Sequence, residues 1–120
     1  MKKIIIFNSR DGLLRLEVDK IVYFEADGNY TRVVTKNKLK ATLTMGLART
    51  EQELTGQLEN QAVMFMRVGK RFIVNREFIY CVNLAKQHLV LSDMEDFAFQ
   101  LPISKEALKK MKELIVLSNQ

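Results

Sequence analysis

The chain has 120 residues, of which 48% are hydrophobic and 28% are charged, and these proportions are typical of a globular protein rather than a disordered one. Its longest apolar runs, such as residues 4–7, are far shorter than the roughly 20 residues that cross a bilayer, and no signal-peptide pattern follows Met1. The single cysteine, Cys81, excludes an intrachain disulfide, suits a reducing compartment and is expected in the core. We therefore expect a cytoplasmic protein, folded as one domain over residues 1–120, with no membrane partner.

The charge of the chain is positive and unevenly distributed. Nineteen Lys and Arg against 14 Asp and Glu give a formal charge of +5 at pH 7. Residues 67–76 contain four cations and no acid, and residues 102–112 contain four lysines and one glutamate. Such clusters favour a polyanionic partner, although each cluster alone is also compatible with an ordinary solvated surface.

Short strands separated by turns are predicted for most of the chain. In the first part, the predicted strands cover residues 4–7, 13–18, 21–25, 30–35 and 39–43. The first two flank a polar hairpin turn at residues 8–12, Asp27, Gly28 and Asn29 form a second turn, and Asn37 begins a third.

The spacing of apolar residues changes after residue 46. Leu47, Glu51, Leu54 and Leu58 are four, three and four residues apart, which predicts a helix over residues 47–58. Further strands are predicted at residues 65–68, 72–74, 78–83, 88–91 and 97–101, with an acidic loop at 93–96 before the last of them.

A second helix is predicted near the end of the chain. Ser104 is a suitable N-cap, and Glu106 lies in the first turn, where the helix dipole favours an acid. Leu108, Met111 and Ile115 form its apolar stripe. The fold class is therefore mainly β, with antiparallel strands in small sheets, one connecting helix and a C-terminal helix.

The residues that catalysis or metal binding would require are scarce. His88 is the single histidine, no zinc-ligand spacing is present, and the five glycines are scattered rather than grouped in a phosphate-binding loop. Glu25 and Asp27 would share one face of a strand, but they precede a turn, and a solvated strand end is the simpler interpretation. We expect no enzyme, no cofactor, no metal and no small-molecule substrate.

Three segments, taken together and in order, resemble the LytTR family of bacterial DNA-binding domains, which serve as output domains of response regulators. They are IVYFEADGNY at residues 21–30, FMRVGKRFIVN at residues 65–75 followed by Ile79, and LPISK at residues 101–105. The resemblance covers residues 11–114 approximately. Each segment is weakly specific alone, whereas the ordered set is specific.

The resemblance implies elongated antiparallel strands in small sheets and a transcriptional regulator that binds double-stranded promoter DNA through loops. These loops enter successive major grooves and the intervening minor groove, often bending the duplex. By motif position, the DNA-contacting residues of this chain are Asn29, Tyr30, Thr31, Lys70, Arg71 and Lys105. The expected target contains repeated half-sites, with a homodimer on DNA as an open alternative.

The chain departs from the family pattern at two contact loops. Gly69, Lys70 and Arg71 stand where histidine, arginine and serine are common, and Lys105 stands where arginine is usual. Lysine lacks the planar fork that reads guanine, so the target sequence of other members does not transfer to this chain. These departures leave a second hypothesis open, a protein–protein interaction module that keeps the fold without specific DNA binding.

Several motif residues are expected to be structural. We expect Asn75 to pair with backbone groups in a turn and Glu25 to have a structural role, because phosphate repels a carboxylate. The expected core residues are Phe24, Val68, Phe72, Ile73, Val74 and Ile79. The residues before residue 11 are too few for a receiver domain or a membrane segment, so we expect either a free-standing regulator, which an initial Met1 favours, or an excised output domain.

Overall fold

The computed structural model describes residues 3–118 and begins with a β-hairpin. Strand β1 (Ile4–Ser9) pairs antiparallel with β2 (Gly12–Glu17), and Ser9 lies opposite Gly12 across a two-residue turn. The predicted first hairpin is therefore confirmed.

A five-stranded antiparallel sheet forms the centre of the fold. Its strands lie in the order β5-β4-β3-β7-β6, and β3 is the middle strand. Their bounds are β3 (Ile21–Asp27), β4 (Tyr30–Thr35), β5 (Lys40–Leu43), β6 (Phe65–Val68) and β7 (Phe72–Asn75). Four consecutive residues of β3, from Ile21 to Phe24, are buried, because both faces of the sheet are covered.

A smaller sheet and two helices cover the central sheet. The third sheet, in the order β10-β9-β8, is built from β8 (Ile79–Asn83), β9 (His88–Ser92) and β10 (Ala98–Pro102). Helix α1 (Leu47–Leu58) connects β5 to β6, and α2 (Lys105–Ser118) follows β10. No helix within residues 3–118 is long and apolar enough to cross a membrane.

The central sheet separates two hydrophobic cores. One core joins a face of the sheet to the third sheet and α2 and includes Tyr23, Phe72, Leu91 and Leu108. The other core joins the opposite face to α1 and the β1–β2 hairpin and includes Phe24. Because α1 and α2 pack on opposite faces, each core is closed by one helix.

The predicted elements match the structure closely in the middle of each element and less well at the ends. Helix α1 has the predicted bounds, whereas Phe78 and Phe97 lie just outside the strands predicted to include them. Three short 3₁₀ segments were not predicted, at Val18–Lys20, Glu59–Met64 and Arg76–Phe78.

The predicted core is largely confirmed. The residues expected there that are buried are Phe24, Val68, Phe72, Ile73 and Val74, while Ile79 is partly buried against the first core. Cys81, expected in the core, is partly exposed instead.

Asn75 takes the structural role expected of it. Its side chain is fully buried, donates to the Ile21 carbonyl oxygen at 2.8 Å and accepts from the Glu77 N–H at 3.0 Å. The predicted pairing of Asn75 with backbone groups at a turn is confirmed.

Candidate nucleic-acid interface

The turn between β3 and β4 presents the first candidate residues. Gly28 has φ +61°, in the left-handed region that favours glycine, and this conformation reverses the chain between the two strands. Asn29 is exposed, and Tyr30 is 51% exposed on the first residue of β4. Both side chains are therefore available to a partner.

Thr31, predicted with them, lies inside the protein. Its side chain is fully buried; its hydroxyl donates to the Met45 carbonyl oxygen at 2.9 Å and accepts from the Thr50 hydroxyl at 3.2 Å. Met45 precedes α1, and Thr50 lies in the first turn of that helix. The Thr31 hydroxyl therefore joins strand β4 to α1. These contacts give Thr31 a structural role, because they hold the start of β4 in place and keep its side chain away from the protein surface.

The turn between β6 and β7 presents the second group. Gly69 has φ +62°, and Lys70 and Arg71 follow it with both residues exposed. Arg67 stabilises this turn, since it donates to the Lys70 carbonyl oxygen at 3.2 Å and to the Glu51 carboxylate at 3.1 Å. The Lys70 ammonium is thus carried on a turn with a fixed backbone.

These two turns lie side by side at one end of the central sheet. The Ala26 N–H donates to the Arg71 carbonyl oxygen at 2.7 Å, which continues the β3–β7 pairing beyond the strands. The β4–β5 turn lies at the opposite end, where the Lys36 N–H donates to the Lys20 carbonyl oxygen at 2.9 Å.

The start of α2 completes the surface beside the second turn. Ser104 is the N-cap, with its hydroxyl accepting from the Ala107 N–H at 3.2 Å, as predicted, and Lys105 is exposed at the first helical position. A Cβ atom built on Gly69 would lie 3.5 Å from the Ala107 Cβ. The β6–β7 turn therefore packs against the first turn of α2.

Beside this contact, an open groove of about 710 Å³ lies between the β6–β7 hairpin and α2. Apolar side chains such as Val68 and Met111 line its floor, and Lys70, Arg71 and Lys110 stand among its lining residues. Lys110 is not among the residues that the motifs predict to contact DNA. Lys110 lies one helical turn after Ala107, and this spacing becomes informative only once Ala107 is known to face the β6–β7 turn.

Lys86 is a second cation beside this surface that lies outside the three motifs. It is exposed in the β8–β9 turn, and the next residue, Gln87, accepts from the Ile103 N–H at 3.2 Å just before α2. This turn therefore adjoins the start of α2. No local pattern in the sequence indicates that proximity, because it depends on how β9 pairs with β10.

A chain of ion pairs crosses the two turns. Glu25 accepts from Arg71 at 2.9 Å and from Arg32 at 3.4 Å, and Arg32 also donates to Asp27 at 3.2 Å. The Glu25 side chain is 18% exposed, which agrees with the structural role expected for it. Arg32 is not among the residues that the motifs predict to contact DNA.

Lys70 and Lys105 differ from these arginines. Within residues 3–118, no carboxylate lies within salt-bridge distance of either ammonium group. Both charges are therefore directed to solvent, and Lys105 adds to the positive end of the α2 dipole. Fixed cations at one end of a rigid sheet are suited to the phosphates of a polyanion.

The fold and this surface define a β-rich binding domain with basic loops for a polyanionic partner. Residues 11–116 match the LytTr DNA-binding domain family, and the chain belongs to that family. The class to which the resemblance pointed is confirmed, and it is defined by DNA binding rather than by a catalytic reaction.

Two curated relatives come from Paraburkholderia xenovorans (strain LB400). They are the heme-containing CO-sensing transcriptional regulators RcoM 1, 29% identical over 110 residues, and RcoM 2, 30% identical over 110 residues. Each match covers 88% of this chain and 37% of the relative, so the chain spans little more than a third of these regulators.

One solved structure has a similar fold. It is the LytTr DNA-binding domain of a Bacillus cereus protein described as a methyl-accepting/DNA response regulator. The two chains superpose with a TM-score of 0.64 and 23% sequence identity, over 96% of this chain and 98% of the other. The small antiparallel sheets and two helices expected from the resemblance are thus shared with this structure.

Proposed function

We propose that the chain binds double-stranded DNA sequence-specifically through the surface formed by the β3–β4 turn, the β6–β7 turn and the start of α2, and that it regulates transcription. The observation that carries the proposal is that the three loops adjoin one another, through the Ala26–Arg71 hydrogen bond and through the close approach of Gly69 to Ala107, where an added Cβ would lie 3.5 Å away. Because the chain belongs to a DNA-binding family, DNA is the polyanion that we propose for this surface.

The dimensions of the surface suit a duplex. The two turns span the strands β4, β3, β7 and β6, and three interstrand spacings correspond to roughly 14 Å. The major groove of B-DNA is about 12 Å wide, so the turns cover one groove and its bordering phosphates. The start of α2 and the neighbouring Lys86 then extend the contact along the DNA backbone. Bending of the duplex would increase the area of this contact.

The chemistry of each side chain assigns its part in binding. Lys70 and Lys105 are point charges that have no carboxylate partner among residues 3–118, and they contact phosphates. Arg71 and Asn29 carry groups that can read base edges, because a guanidinium fork pairs with guanine and an amide pairs with adenine. Tyr30 contributes a hydroxyl and an exposed ring beside them.

The direct test is selection from random duplex DNA with the purified protein, at low and at near-physiological salt. The proposal predicts an enriched sequence motif that survives the higher salt, since base contacts add to the salt-dependent phosphate contacts. Retention at low salt without any motif would contradict it and would favour the interaction module.

We further propose that promoter targets contain repeated half-sites, each occupied by one copy of this surface. Sedimentation with one and with two copies of the selected motif measures the number of chains on each duplex. Two chains on the double site and one on the single site are expected. Two chains on the single site would contradict the proposal.

A further inference from the structure

A carboxylate lies in the middle of the surface proposed for DNA. Glu25 is on β3, opposite Arg32 of β4 and opposite Phe72 of β7 in the register of the sheet. Phosphate repels a carboxylate, so Glu25 weakens contact with the DNA backbone. We therefore ask what else Glu25 contributes to DNA binding. Its partners indicate what that contribution is.

Glu25 holds the guanidinium of Arg71 by one edge. The Glu25 Oε2 atom accepts from Arg71 Nη2 at 2.9 Å, a charge-assisted hydrogen bond of ordinary length. The Glu25 Oε1 atom accepts from Arg32 Nη1 at 3.4 Å, so the carboxylate is itself held between two arginines. The Glu25 side chain is only 18% exposed, which restricts its alternative positions.

A second contact places the same guanidinium over an aromatic ring. The Arg71 Cζ atom lies 5.6 Å from the centre of the Phe72 ring, within cation–π distance, and Phe72 is itself buried. The Glu25 carboxylate and the Phe72 ring therefore both restrict the position of the Arg71 guanidinium. The side chain nevertheless stays 61% exposed.

We infer that Glu25 is a positioning residue that sets the DNA sequence specificity of Arg71; this inference rests on the function proposed above. A guanidinium has five N–H donors, and the Glu25 bond uses one of them, at Nη2, which leaves the other donors free for a base edge. Pre-organisation reduces the cost of ordering the side chain on DNA. The negative charge also weakens sequence-independent binding to phosphates.

Glu25→Gln tests this inference, and Asp27→Asn is its matched control. Both changes remove one negative charge from the same chain of ion pairs, and both carboxylates pair with Arg32, but of the two Glu25 also contacts Arg71. For each protein, the affinities for the selected duplex and for a scrambled duplex are measured at one salt concentration, and their ratio is compared. Thermal unfolding confirms that each variant is folded.

We expect Glu25→Gln to lower the specificity ratio about tenfold, within the range that one bidentate base contact provides, while affinity for the scrambled duplex rises. Asp27→Asn raises scrambled affinity similarly and keeps the ratio within about twofold. In an Arg71→Ala background, Glu25→Gln changes the ratio no further, because the residue through which Glu25 acts is absent.

An unchanged ratio in Glu25→Gln would overturn the inference, as would an equal loss in the Arg71→Ala background. Both results leave the proposed DNA binding intact, because wild-type protein would still select a motif. A wild-type protein that selects no motif at all would overturn the proposed function and this inference together.

Discussion

Gln57 of α1 binds the backbone of Ile6 in β1 through both ends of its side-chain amide. The Ile6 N–H donates to Gln57 Oε1 at 3.0 Å, and Gln57 Nε2 donates to the Ile6 carbonyl oxygen at 2.7 Å. The amide thus occupies the position that a neighbouring strand would take on the edge of β1. It joins the N-terminal hairpin to the helix that packs on the central sheet.

Removing this amide is expected to destabilise the protein without affecting DNA contacts. Gln57→Ala breaks the two hydrogen bonds to Ile6 and a third to the Glu53 carboxylate, and it lowers the free energy of unfolding by about 1–2 kcal/mol. Urea denaturation measures the change, with Gln52→Ala on the exposed side of α1 as the control. Equal stabilities of the two variants would show that the Gln57 contacts contribute nothing.

Asn75 is expected to be more sensitive. Asn75→Ala leaves the Ile21 carbonyl and the Glu77 N–H without this partner, and it lowers the free energy of unfolding by about 3 kcal/mol. Asn60→Ala is the control, because Asn60 is exposed. A loss below about 1 kcal/mol, measured by urea denaturation, would contradict the role assigned to the buried amide.

Thr31 distinguishes support of the loop from contact with DNA. Thr31→Val preserves shape but removes the hydroxyl that donates to Met45, so stability falls by about 1–2 kcal/mol. Affinity for the selected duplex, measured well below the melting temperature, is expected to stay within about twofold. Thr42→Val on exposed β5 is the control for stability. A large loss of affinity in folded Thr31→Val would show instead that Thr31 contacts DNA, as its motif position predicts.

The acidic loop after β9 gives the protein a pH-dependent element. Desolvation acts to raise the pKa of Asp93, but hydrogen bonds from the backbone N–H groups of Glu95, Asp96 and Phe97 outweigh it, and the pKa is lowered from 3.8. A lowered folded-state pKa means that the stabilisation is present above pH 3.8 and is lost as the pH falls through the folded-state value.

Asp93→Asn isolates this contribution because asparagine retains an acceptor but does not titrate. We expect wild type to be more stable than Asp93→Asn at neutral pH, with the difference narrowing below about pH 3.8. Denaturation curves of both proteins from pH 7 to pH 3 measure it. A constant difference across that range would contradict the account.

Local patterns predicted most of the elements but not their arrangement. The spacing of Leu47, Leu54 and Leu58 was sufficient for α1 because a buried helical stripe repeats locally. The 3₁₀ segment Glu59–Met64 has no buried residue and no such repeat, so no pattern marks it. Strand order was also beyond local analysis, since β3 pairs with β7 across a long sequence separation.

In the candidate site too, local motifs predicted individual residues but not the contacts between them. Motif positions named Lys70, Arg71 and Lys105, which the structure places at the surface. The Glu25–Arg71 pair joins residues 46 apart in sequence, so the residue holding Arg71 could not be derived from spacing. Thr31 alternates with exposed Tyr30 and faces the opposite side of β4, a distinction that required knowing which face α1 covers.

The most direct test of the central claim compares two charge-matched double variants on the selected duplex. Lys70→Ala with Arg71→Ala removes two cations from the proposed interface, and Lys38→Asn with Lys40→Gln removes two at the β4–β5 end. Asparagine suits position 38, where φ is 68°. We predict a loss of about 1–3 kcal/mol for each interface residue and relaxed specificity at the base read by Arg71, with little change in the specificity of the distal variant. Equal losses of affinity and specificity in both variants would contradict the assignment of this surface to DNA.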